Sequence, residues 1–150
     1  MRITFCVGVL LLGLFGCGPV FQLQAPEAFA RFDSGDHNRW ITADGVRMRI
    51  REIPNEPRAT LPFWTEALSG HLKRRGYVRK SERCFKTARD LDACTLDHLL
   101  ARGSGDWVMS VTLFVVEDRL VLIEVVGPWQ RWKRHEPALS AAIAQFSPRR

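Results

Sequence analysis

Four cysteines and four histidines are the side chains of this 150-residue chain best suited to nucleophilic, metal-ligating or proton-carrying work. The histidines, His37, His71, His98 and His135, lie far apart in sequence. Asp36-His37 and Asp97-His98 are adjacent pairs, but neighbours on a strand point to opposite faces and cannot jointly chelate one ion. There is no HExxH and no His/Cys cluster, so a surface or a helix face is the expected setting for each histidine. Gly103-Ser104-Gly105 lacks the pattern of a nucleophile elbow and reads as a turn. Glu117, Asp118 and Glu124 form no recognisable acid/base pair. Glu124 is unusual because it sits inside an otherwise apolar segment. An edge or solvent-facing position is the simpler expectation; a buried carboxylate there needs a partner, such as Arg47, Arg49 or Arg51. No catalytic residue, metal ligand or cofactor is assigned, and the expectation is a protein that is not an enzyme.

Basic side chains are the other chemical resource. They cluster as Arg47, Arg49 and Arg51, as Lys73, Arg74 and Arg75, as Arg79 and Lys80, and as Arg131, Lys133 and Arg134. Scattered solvated charge is the ordinary outcome of such groups. Merged, they form a patch able to face lipid phosphates or another polyanion, each cation near an anionic surface contributing about 1 kcal/mol. Trp129 and Trp132 beside Arg131 and Lys133 could serve as an interfacial or partner-binding spot. The competing reading places Trp132 in the core, with Trp129 covering the end of a hairpin.

The remaining cysteines are read through the amino-terminal stretch. Arg2 precedes an uncharged apolar run from Ile3 to Gly16, too short to span a bilayer, which needs roughly 20 residues. Leu14-Phe15-Gly16-Cys17 follows directly and resembles the lipobox of bacterial lipoproteins. That resemblance implies cleavage before Cys17, lipidation of its sulfur, and attachment to a membrane outside the cytoplasm. Gly18 in place of aspartate implies the outer membrane, with the domain facing the periplasm. An ordinary secretory signal with an incidental cysteine is the alternative. Cys6 leaves with the signal. Cys84 and Cys94 are then an even pair in an oxidising compartment, and a disulfide is the expectation. A redox or metal pair is the alternative, although the spacing is not CxxC and no histidine stands at ligand distance.

Removing residues 1–16 takes away one charge, Arg2, and leaves 21 basic against 16 acidic side chains. The balance of +5 suggests anionic lipid headgroups, cell-wall polymers or an envelope protein as partner, rather than nucleic acid. Residues 17–26 read as lipidated cysteine and tether, and 27–147 as a single domain, large enough for one core.

Within that domain Glu27 to Phe32 and Arg39 to Thr42 are weak strands, separated by the turn cluster at 33–36. Asp44-Gly45 signals a hairpin. Val46, Met48 and Ile50 then alternate with Arg47, Arg49 and Arg51, as in a half-buried strand. Thr60 to Gly76 reads as a helix with Thr60 as cap, Pro62 in the first turn and Gly76 at its close. Tyr77 to Phe85 follows as a strand, leading into a polar, disulfide-closed excursion to Cys94. Leu96 to Ala101 reads as a short helical turn. Trp107 to Val116 and Leu120 to Val126, apolar on both faces, are central strands. The spacing of Trp132, Leu139, Ile143 and Phe146 predicts a closing helix from about Trp129, continuous through Pro137.

Helices covering an antiparallel sheet make an α+β domain. Three blocks, LPFWTEALSGHLKRRGY, GDWVMSVTLFVVEDRLVLIEVVGPW and HEPALSAAIAQF, together resemble the α/β/α sandwich of PsbP, the Ran-binding protein Mog and the bacterial DcrB-like lipoproteins. The resemblance implies a central antiparallel sheet flanked by two main helices. It carries no ligand motif and no activity; members act as assembly factors, binding proteins or chaperones. A non-enzymatic, membrane-anchored binding or assembly module is therefore expected, with a hydrolase or small-ligand-binding protein as the alternative.

Overall fold

A computed structural model describes residues 21–32, 38–103 and 105–148. The apolar leader, Cys17, the turn cluster at 33–36, His37 and Ser104 lie outside the described residues. In chain order the elements are β1 (Phe21–Gln22), β2 (Ala30–Arg31), β3 (Arg39–Ile41), β4 (Arg47–Pro54), α1 (Leu61–Arg74) and β5 (Val78–Lys86). There follow β6 (Asp92–Arg102), β7 (Gly105–Val116), β8 (Arg119–Pro128), α2 (Trp129–Ala144) and β9 (Ser147–Pro148).

The main sheet has the order β2-β3-β4-β8-β7-β6-β5, with every neighbouring pair antiparallel. Register separates its two faces. Ile50, Ile123, Thr112 and Thr95 are aligned across four strands and look towards α2. One residue along, Arg49, Glu124, Val111 and Leu96 look towards the α1 side. Both faces of the central strands are therefore covered, which explains why β7 and β8 carry apolar residues at nearly every position.

The larger core lies under α2, where Met48, Ile50, Phe114, Ile123, Trp132, Leu139, Ile143 and Phe146 are buried together. The smaller lies under α1, where Leu61, Trp64 and Leu68 pack against Leu96, Val111, Leu113, Leu120 and Leu122. Each fully buried side chain among them contributes about 1.5–3 kcal/mol by leaving water. The result is the expected α+β sandwich: an antiparallel sheet with one main helix on each side.

Local signals explain where the elements start and stop. Gly45 turns the β3–β4 hairpin at φ +89°, and Val46, Met48 and Ile50 are buried as the alternation predicts. Thr60 stands at the α1 N-cap position, but its hydroxyl makes no cap bond. Buried Asn55 fixes the approach to the helix instead. Its side chain bonds both backbone groups of Ala59, at 3.1 Å each, and accepts from Trp64 Nε1 at 2.7 Å. At the other end Gly76 adopts φ +85°, and the N–H groups of Gly76 and Tyr77 donate to the carbonyls of Lys73 and Leu72. That double bond pattern closes an α-helix on a left-handed residue.

Three expectations need correction. Leu96 to Ala101 is not a helical turn but part of β6, an eleven-residue strand. The segment between the cysteines is not a loose excursion: it is the β5–β6 hairpin, and Cys84 and Cys94 are register partners joined by a disulfide across it. The tether assigned to residues 17–26 is partly folded. Phe21 is buried and stacks on Phe146 while β1 pairs with β9, so the packed structure reaches back to Phe21. A two-residue strand supplies little periodic signal, and the sequence alone does not show which distant segment it meets.

Candidate functional site

The α1 side of the sheet is only partly roofed. α1 lies over β5, β6 and β7, which leaves β3, β4 and the adjoining part of β8 open. A groove of about 380 Å³ runs there, lined by Phe32, Arg39, Arg47, Arg49, Met109 and Val126, with Glu124 in its wall. This is where the arginine row of β4 projects.

Glu124 is buried, contrary to the solvent-facing expectation. Its register partner is Arg49, and the β pleat brings Arg51 alongside. Arg49 reaches Glu124 Oε2 through Nε at 2.7 Å and Nη2 at 2.6 Å. Arg51 forks onto the same carboxylate, Nη2 to Oε1 at 2.7 Å and Nε to Oε2 at 3.2 Å. Planar guanidinium groups suit this two-oxygen geometry. The cluster is a fixed anion between two half-exposed cations, so it positions arginines rather than performing acid/base chemistry. Arg47 projects exposed beyond it.

The remaining basic groups are spread over other elements. Lys73, Arg74 and Arg75 are exposed at the close of α1. Arg79 pairs with Glu82 at 2.8 Å. On α2, Arg131 donates to the Asp44 carbonyl at 2.6 Å, and Arg134 reaches Asp44 Oδ2 at 2.9 Å. His135 Nε2 lies 3.0 Å from Asp44 Oδ1. The Thr42 hydroxyl first, and Arg134 next, hold the Asp44 carboxyl far below the usual range. Trp132 is core, and Trp129 stacks on it at 5.2 Å, so the two indoles do not form an interfacial spot.

A second groove, of about 710 Å³, separates α1 from β5 and β6, with Thr65, Ser69, Lys73, Tyr77, Val78 and His98 among its lining. His98 is 1% exposed, and neither ring nitrogen has a partner; the buried hydroxyl of Thr65 is also unpartnered. Burial first, and the charge of Arg79 second, lower the His98 pKa from its ordinary 6.5. This overturns the surface or helix-face setting for His98; His135, on α2, keeps it. His71 is exposed on α1. As strand alternation requires, Asp97 points to the opposite face, where Ser81 and Ser110 donate to it at 2.5 and 2.6 Å. Thr95 and Thr112 share a bond of 2.7 Å beside them. Among the described residues no imidazole bonds either serine. Among the described residues no three His, Cys, Asp or Glu side chains gather as metal ligands.

Sequence reasoning missed Asn55, the Asp97 cluster and the buried state of His98. In β6 the polar Thr95 and Asp97 are turned inward and paired by Thr112, Ser81 and Ser110 from neighbouring strands, an arrangement that an alternation rule reads as solvent-facing.

No family model matches the chain, and no curated protein matches it. Solved structures do. A Pseudomonas aeruginosa protein of unknown function, PA94, aligns over 89% of this chain and 85% of its own at 12% identity and a TM-score of 0.63. The solution structure of PsbP (CyanoP) from Synechocystis sp. PCC 6803 aligns over 87% of each chain, also at 12% identity, with a TM-score of 0.60. The chain has a PsbP-like fold.

Proposed function

We propose that this chain is a lipid-anchored envelope protein whose domain acts as a non-enzymatic binding or assembly module. The kinship implied with Mog and the DcrB-like lipoproteins belongs to this reading. The arginine groove carries it. That groove is lined by Arg39, Arg47 and Arg49 together with Phe32, Met109 and Val126, and Glu124 holds Arg49 in its wall. A fixed cationic frame with apolar filling suits an acidic partner of the envelope. The Leu14-Phe15-Gly16-Cys17 motif supports the anchor, and Cys17 followed by a short segment keeps the domain close to a bilayer.

Two experiments test the reading. Cells given an azido fatty acid should label the wild type but not Cys17→Ala, and the variant should leave the membrane fraction. Pull-down from detergent-solubilised envelopes should capture a partner that Arg47→Glu fails to retain. Unlabelled wild type removes the anchor, and a partner indifferent to Arg47 removes the groove. Arg47 is chosen because, unlike Arg49 and Arg51, it does not hold Glu124.

A ligand-binding reading has one observation in its favour, the unpartnered His98 and Thr65 in the α1–β5–β6 groove. It predicts that Thr65→Val and His98→Leu, rather than Arg47→Glu, abolish whatever the protein captures.

A further inference from the structure

We infer that the molecule has two electrically unlike ends, with its amino-terminal segment entering at the near-neutral end, and that the basic end binds a polyanionic glycan of the envelope rather than lipid headgroups.

Register fixes the ends. The Asp44-Gly45 turn, the turn after Arg102, the close of α1 and the start of α2 share one end of the sheet, since Trp107 pairs with Pro128 and Val78 with Leu99. The β5–β6 turn, the β7–β8 turn, the close of α2 and the β1–β9 pair share the other; the Ala88 N–H donates to the Ala144 carbonyl there. With strands of ten to twelve residues, the two ends stand roughly 30–40 Å apart.

Charge divides along the same axis. At the first end Lys73, Arg74 and Arg75 are exposed beside Arg79 and Lys80 at the start of β5. Arg102 stands on the β6–β7 turn, Arg47 opens β4, and Arg131, Lys133 and Arg134 occupy the first turns of α2, all exposed. Against them stand Asp44, already held by Arg131 and Arg134, Glu82, paired with Arg79, and Asp106. At the other end Arg58, Lys86, Arg89 and Arg119 face Glu56, Asp90, Asp92, Glu117 and Asp118. Four cations against five anions leave that end near balance among the described residues.

Cys17 is four residues before Phe21, so covalent reach alone keeps it within about 14 Å of the near-neutral end. A lipid on Cys17 therefore points the basic end away from its own bilayer, beyond the Debye length of about 8 Å at physiological salt. This orientation rests on the anchor proposed above; the charge division does not.

The cations come from five separate segments on long solvated side chains. Among the described residues, the large exposed apolar side chains near this end are Val78 and, in the groove beside Arg47, Phe32; they stand at opposite edges of the sheet and form no continuous patch. A folded protein partner needs a desolvated apolar centre. A flexible polyanion needs only charge density, and gains by releasing its counterions.

The test uses the full-length protein in detergent micelles, with a heparin oligosaccharide as the polyanionic glycan probe. Each cation near an anionic surface is worth about a factor of five. K73Q/R74Q/R75Q should therefore weaken low-salt binding about 100-fold and flatten its salt dependence. R58Q/R89Q/R119Q, the same charge loss at the other end, should leave binding within about twofold by the same reasoning. Equal weakening by both variants, or no binding at low salt, overturns the inference. So does unlipidated Cys17→Ser protein that binds phosphatidylglycerol vesicles through Lys73, Arg74 and Arg75 as tightly as it binds heparin. Fatty-acid labelling is scored separately. Labelled protein without heparin binding sinks this inference alone, whereas heparin binding without label sinks only the anchor and the orientation.

Discussion

Glu124 and His98 are both buried ionisable residues, and they solve the problem of burial in opposite ways. Glu124 is neutralised by two guanidinium groups that remain more than two-fifths exposed. Breaking a fully buried pair costs 3–5 kcal/mol, and exposure discounts this. Replacing both Arg49 and Arg51 by Ala should therefore cost about 2 kcal/mol in urea unfolding, and either replacement alone distinctly less. His98 has no partner and stays neutral. Its folded pKa lies below the unfolded 6.5, so the unfolded state binds the proton more readily. Stability is then complete above about pH 6.5 and declines as the pH falls towards the folded value. His98→Leu should be more stable than the wild type, by a margin that widens from pH 8 to pH 5. A margin constant over that range would show that the imidazole titrates normally. A buried, arginine-paired Glu124 was only the second reading of the sequence, and the burial of His98 was not legible in it. A lone Glu among valines and a lone His between Asp and Leu look the same whether they face water or a neighbouring strand.

At the scale of elements, legibility followed how one-sided each segment is. The Val46-Met48-Ile50 alternation, the Leu61-Trp64-Leu68-Leu72 stripe and the apolar runs of β7 and β8 each specify one structure. β6 does not, because its α2-facing residues include Thr95 and Asp97, paired there with Thr112, Ser81 and Ser110. An alternation rule turns such residues outward, and the strand disappears from view. Gly127 shows a constraint no pattern reveals: a Cβ there would lie 3.0 Å from Val46 Cγ2 and 3.3 Å from its Cα, so any larger residue would have to push Val46 aside by a few tenths of an ångström. The disulfide joins strands already in register, closing a short hairpin at a sequence separation of 10. Cys84→Ala with Cys94→Ala should lower stability by about 2–3 kcal/mol in denaturant titration, with the fold retained. Loss of the fold in the double variant would mean that β5 has no hold on β6 without the bond.

At the scale of the molecule, element order sufficed for the PsbP-like architecture, because two helices and an antiparallel sheet leave few ways to cover both faces. It did not suffice for the chain's ends. The meeting of β1 with β9 depends on Phe21 finding Phe146, whose ring in turn stacks 4.1 Å from Phe114. Phe21→Ala should cost about 3 kcal/mol in unfolding experiments; a change within a few tenths would return residue 21 to the tether. Under the proposed Cys17 anchor, the same contact decides how the domain bears load. A pull transmitted through the amino-terminal segment is applied first to a two-residue ladder and one aromatic plug, both beside the close of α2. The seam between first and last strand is therefore the mechanical fuse: it parts, and lengthens the leash, before the main sheet feels the strain.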